Sequence, residues 1–212
     1  MKATAMMTMA AVMGATAWAS SVRPGAERKL TVCFDKGNPG QMAEMAGQAE
    51  PIASKMFVGI GVKLEWHSGQ RFCQGNRDHG IVVSLSTNTP RTLLPGALAY
   101  ALPFEGTHIE VFYDRINRVG PAVVTPLLAH VLVHEITHIL QGTNIHSESG
   151  IMKARWEPDD YLHMETKPLA FTERDVILIL SGLDARASLP ARGTLVAANP
   201  VSHTATAQQK LQ

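Results

Sequence analysis

The sequence predicts a single α/β (α+β) domain, a mixed sheet backed by helices, and three features carry that expectation. Short β-prone runs are interleaved with helical stretches along residues 29–183. One of those helices is apolar around most of its circumference, so it needs cover on several sides. With 212 residues and 45% hydrophobic content, the chain can bury a full core and is too apolar to stay disordered. The formal net charge of +1 gives no electrostatic reason to expect nucleic acid or an anionic surface as a partner.

Residues 1–19 read as an export signal. Lys2 gives a short positive start, residues 3–17 form an uncharged run rich in Met and Ala, and Ala17-Trp18-Ala19 fits a cleavage site before Ser20. The run is short for a bilayer span, which needs ~20 apolar residues; an uncleaved anchor is the alternative. Cleavage would leave no membrane span and an exported chain, periplasmic or secreted, expected to be a monomer. The domain is then expected over residues 20–186, with an Ala-, Thr- and Gln-rich tail over 187–212 that is expected to be disordered. The two cysteines, Cys33 and Cys73, allow one disulfide in an exported protein. It would close a loop of about 40 residues and stabilise by roughly 3–4 kcal/mol; two separate buried thiols are the alternative.

Residues 29–34 (KLTVCF) alternate as a strand, and the turn residues Gly37, Asn38, Pro39 and Gly40 follow. Residues 41–56 favour helix, with Pro51 expected to kink it. Strands are expected at 62–66 (VKLEW), 81–86 (IVVSLS) and 108–113 (HIEVFY), with a polar loop carrying Cys73 between the first two and a short extended segment at 96–102. Thr125 can cap a long helix that has Pro126 at its first position and Gly142 as a left-handed end. Residues 150–160 show no strong periodicity. A last helix over 171–183 starts behind Thr172 and has Gly182 near its end.

The chemistry lies in the long helix, at His134-Glu135-Ile136-Thr137-His138. Histidines four apart share one helix face, about 6 Å apart along the axis. Two imidazoles so placed can reach one ion at ~2.0–2.1 Å each. Glu135 is turned about 100° from His134, so it can take a proton from an attacking water rather than serve as a ligand. The apolar flanks argue against a merely solvated face, because burying a Glu without a task or partner is costly. Gly142 then turns the chain back, and His146 follows. Three neutral imidazoles with one open position make a catalytic zinc site. His130 continues the i, i+4 row but lies about 12 Å along the axis from His138, too far to share an ion with both; it is read as a hydrogen-bonded helix histidine. His67, His79, His108, His163 and His203 have no metal spacing and are read as surface or structural residues.

H-E-x-x-H, a glycine turn, a third histidine and the methionine of Gly150-Ile151-Met152 together resemble the metzincin clan of zinc metallopeptidases. The resemblance implies a mostly parallel sheet with one antiparallel edge strand that holds an extended peptide, a backing helix, an active-site helix and a C-terminal helix. It also implies His134, His138 and His146 as Zn2+ ligands, Glu135 as general base, Met152 as the floor of the site, and a peptide or protein as substrate. The chain departs from the clan spacing H-E-x-x-H-x-x-G-x-x-H: Gly142 comes one residue late and His146 two residues late, with Asn144 where the third histidine would be. Glu148, Asp159, Asp160 and Glu173 therefore remain competing third ligands, and Met152 has an ordinary core-filling alternative. Tyr161, Arg155 and His163 are read as surface or packing residues, with oxyanion stabilisation as the alternative. A zinc peptidase is the first functional expectation; a non-catalytic zinc-binding or structural exported protein of the same fold, and a zinc hydrolase acting on something other than internal peptide bonds, are the others.

Overall fold

The computed structural model describes residues 28–35, 40–75, 80–102 and 105–189. The expected signal peptide at 1–19 and residues 190–212 of the tail expected at 187–212 lie outside them, while Ala187 ends the last helix. Five strands form one sheet in the order β2-β1-β3-β5-β4: β1 (Arg28–Phe34), β2 (Val62–Ser68), β3 (Ile81–Ser86), β4 (Ala99–Ala101) and β5 (His108–Phe112). β1 pairs in parallel with β2 and β3, and β3 with β5, while β4 runs antiparallel to β5. The mostly parallel sheet with one antiparallel edge strand is thus present.

One face of the sheet carries the core. Leu30, Val32, Val62, Leu64, Ile81, Val83, Ile109 and Val111 alternate onto it, as the two-residue period of a strand requires. Helix α1 (Gln41–Val58) covers that face with Ala46, Ala49, Ala53, Met56 and Phe57. It runs through Pro51 without ending there; the proline is exposed, and α1 also packs against the next long helix. On the opposite face, the Cys33–Cys73 disulfide joins β1 to the short helix α2 (Gln70–Gly75), which replaces part of the expected polar loop.

After β5, Tyr113–Ile116 form a short helix, α3, rather than extending the strand. Helix α4 (Pro121–Gln141) begins earlier than expected, with Pro121 at its first position and Pro126 inside it. Thr125 does not cap it; its hydroxyl lies 3.2 Å from Gln48 of α1. Mean hydropathy of 1.5 would let α4 cross a membrane, but 78% of that stretch is buried, so it is the core helix. Residues 127–140 are all buried, enclosed by the sheet, α1, α5 and α6. Helix α5 (Pro158–Thr166), which periodicity does not reveal, starts from a capping box between Glu157 and Asp160. Helix α6 (Glu173–Ala187) starts behind Thr172 as expected and runs past Gly182.

Gly182 sits where α6 crosses the end of α4: a Cβ there would fall 1.7 Å from the carbonyl oxygen of Leu140. Gly182→Ala should therefore cost about 1–3 kcal/mol through overpacking. Gly47→Ala, exposed on α1 with open space around it, should instead gain roughly 1 kcal/mol of helix propensity. Thermal melts of the two variants should move in opposite directions.

Candidate metal centre

Helix α4 presents His134, Glu135 and His138 from its buried length, with side chains 5–8% exposed for the whole residues. Gly142 ends the helix in the left-handed conformation (φ 63°, ψ 27°) and donates to the His138 carbonyl, the expected reversal. The chain returns to bring His146 alongside. One nitrogen from each of His134, His138 and His146 lies within 4.8 Å of the others. The ring centroids are 4.7, 5.3 and 4.8 Å apart.

Two carbonyls fix the ring orientations. His134 Nδ1 lies 2.9 Å from the Ile151 oxygen and His138 Nδ1 2.9 Å from the Thr143 oxygen. A carbonyl can only accept, so both Nδ1 atoms carry the proton and both Nε2 atoms present lone pairs. Those two Nε2 atoms are 3.0 Å apart. Two lone pairs facing at that distance repel unless a cation lies between them. Zinc–nitrogen bonds of ~2.0–2.1 Å at tetrahedral angles place their nitrogens roughly 3.4 Å apart, so the donor set fits such an ion.

Burial and the neighbouring imidazoles hold these rings neutral. His134 is pushed down to about 3, first by desolvation and then by His138, and His138 to about 4 by desolvation and His146. His146, more exposed, is also lowered by burial. Neutral imidazole is the ligating form. Glu135 is pushed up to about 8 by burial, opposed by a backbone hydrogen bond from Ala101 of β4. A dication beside it would reverse that shift.

The competing third ligands do not converge. Asp160 binds Lys153 at 2.5 Å, Glu173 begins α6, and among the described residues the metal-ligand cluster contains only the three histidines. His130 is fully buried and structural, with Nδ1 donating to Pro126 at 2.7 Å and Nε2 accepting from the Leu169 amide at 3.1 Å. His67 stacks on Phe72, and His108 contacts Thr107; His79 and His203 lie outside the described residues. Met152 is fully buried in a 3-10 turn packed against α4.

The site opens into a cleft of about 590 Å³. Its walls are the 94–99 segment leading into β4 on one side, and Trp156 and Tyr161 on the other, with His134, Glu135 and His146 exposed to it. Tyr161 and Arg155 thus face the cleft, while His163 does not line it. Neither the 94–99 wall nor Trp156 announces itself in the sequence, because each is placed by a turn without periodicity. β4 bonds β5 through the Leu98 carbonyl and the Leu102 amide. In that register Tyr100 also faces β5, and the backbone groups of Ala99 and Ala101 point the other way, along the open edge.

The sequence matches no protein-family model and no curated protein. The structure is similar to archaemetzincin from Methanopyrus kandleri, with 18% identity, a TM-score of 0.50, and coverage of 77% of this chain and 99% of that one. Also similar are a zinc-dependent peptidase from Methanocorpusculum labreanum (13%, TM-score 0.47, 71% and 99%) and archaemetzincin from Archaeoglobus fulgidus complexed with malonate (12%, TM-score 0.46, 71% and 99%). The first likeness shows a shared fold, so the metzincin-like architecture expected from residues 134–152 is present across the domain.

The depressed histidines make a pH prediction for the metal-free protein. Between the folded values of about 3 and 4 and the ordinary 6.5, the unfolded chain binds two protons that the folded chain refuses, so stability falls as pH drops through that window. Glu135, raised from 4.5 to about 8, acts in the opposite direction but with a single proton. After chelation, the melting temperature should decline from pH 6.5 to pH 4, and the decline should be shallower in His134→Asn.

Proposed function

We propose that this chain is an exported, monomeric zinc metalloendopeptidase. The observation that carries the reading is the convergence of the His134, His138 and His146 nitrogens within 4.8 Å of one another, in a cleft that also exposes Glu135. His134 and His138, their tautomers held by Ile151 and Thr143, and His146 would be the ligands. Zinc in such a site supplies Lewis-acid chemistry, polarising a carbonyl and acidifying water. Glu135 would take the proton from the attacking water and pass it to the departing amine.

The outward backbone groups of Ala99 and the outward carbonyl of Ala101 support a peptide substrate. An extended chain can add to the β4 edge by main-chain hydrogen bonds, and that lays a scissile bond along the cleft beside Glu135. The Ala101 interaction with Glu135 ties the base to this same edge. Export is supported by the pattern of residues 1–19 and by the Cys33–Cys73 bond, which persists in oxidising compartments. The mature N-terminus should then be Ser20 by mass spectrometry.

Glu135→Gln is expected to lower kcat/KM on a peptide library by ~10²–10⁴-fold while zinc content, by elemental analysis, stays stoichiometric. Equal cleavage by parent and variant would overturn the mechanism. Stoichiometric zinc without turnover in the parent would instead favour a non-catalytic zinc-binding protein of this fold.

A further inference from the structure

The three histidines are not held alike. His134 and His138 each donate Nδ1–H to a carbonyl, whereas among the described residues no hydrogen bond holds the His146 ring. His146 is also the exposed member of the set, on a loop longer than the clan spacing. Its position must therefore be fixed through its backbone neighbours.

The next residue supplies that anchor. The Ser147 amide donates to the Met152 carbonyl at 2.7 Å, and its hydroxyl donates to Asp175 Oδ1 at 2.8 Å. Asp175, at 3% exposure, is buried in the first turn of α6. Its Oδ2 accepts from the Thr172 amide and hydroxyl at 2.9 and 2.7 Å, closing the capping box. Its Oδ1 also receives Gln141 Nε2, at 3.4 Å, from the end of α4. One carboxylate thus joins the end of the helix carrying His138, the residue after His146, and the helix behind both.

We propose that Asp175, acting through Ser147, is the positioning residue for His146, and so sets the affinity and geometry of the metal centre. The inference rests on the three-histidine reading above. Groups that orient a ligand without touching the metal typically alter affinity ~10–100-fold when removed. Ser147→Ala is the selective probe, because it deletes the hydroxyl while leaving the Thr172–Asp175 box and the Ser147 amide bond intact.

The test uses the full mature chain and Zn2+ or Co2+ alone, with zinc affinity from chelator competition and the visible spectrum of the Co2+ form. Ser147→Ala should weaken zinc binding ~10-fold or more and shift the Co2+ bands, with the melting temperature of the metal-free protein little changed. Ser147→Thr, which keeps a hydroxyl, should restore both. In a His146→Ala background, Ser147→Ala should have no further effect on affinity, since the two act as one unit. Parent-like affinity and spectrum in Ser147→Ala, or an undiminished loss in the His146→Ala background, would overturn the positioning role. Parent-like zinc binding by His146→Ala itself would instead overturn the three-histidine reading.

Discussion

Two imidazole Nε2 atoms 3.0 Å apart, both left with lone pairs because their Nδ1 protons are given to carbonyls, are the constraint on which this structure turns. Left alone they repel. They stay there because their opposite ring nitrogens are committed to carbonyl oxygens, and those carbonyls are supplied by two glycine turns. Gly142 reverses the chain in the left-handed region and delivers the oxygen of Thr143. Gly150, at φ 75°, begins the turn that delivers the oxygen of Ile151, and a Cβ there would fall 2.3 Å from the carbonyl of Ala170. That same Ala170 oxygen receives the Ile151 amide at 2.9 Å. The histidine pair and both turns thus form one hydrogen-bonded unit.

The apolar helix around the pair is what makes the arrangement chemically useful. Residues 127–140 of α4 are buried, so charged imidazolium is disfavoured and the neutral, ligating form dominates at neutral pH. The same burial raises Glu135, placing an acid and two bases together at the floor of the cleft. Burying four ionisable groups, His130 among them, on one helix is expensive without compensation. It is tolerated here because the surrounding core is extensive: α1, α5, α6 and the sheet all pack against α4. The disulfide is remote from the site, on the opposite face of the sheet, and its contribution is to hold β1 and α2 together.

The helical histidine pair was legible in the sequence because helical period alone fixes where residues four apart point. For the same reason His130 could be excluded from the ion on rise per residue, and its two hydrogen bonds in the structure give it another task. The strands and Thr172's cap were equally local in origin. What escaped was set by non-local contacts. Helix α5 is short and polar, and its start depends on a Glu157–Asp160 box rather than on an apolar stripe. Helix α4 starts at Pro121 rather than at Pro126, since both prolines suit a helix start, and Thr125 between them faces Met45 and Gln48 of α1 instead of capping. The cleft walls at 94–99 and Trp156 come from irregular backbone that carries no period to read.

The third histidine shows why spacing was the weakest guide. A loop with its glycine one residue late and its histidine two late looks, in sequence, like a broken motif. A metal site constrains where donor atoms arrive, not how many residues the chain spends getting there, and loop closure charges little for added length. The extra residues are taken up between Gly142 and Ser147, where the Ile145 amide turns back onto the Thr143 hydroxyl at 3.2 Å and Ile145 itself stays exposed. Beyond that excursion the path is pinned again, for Ser147 and Lys153 form a short parallel bridge against the Gly150–Met152 turn. The lengthened loop therefore begins and ends at the same rigid unit that orients the helical pair. A third ring leaving such a loop is held to the other two by its endpoints, and the convergence within 4.8 Å follows from those anchors rather than from the count of residues between them.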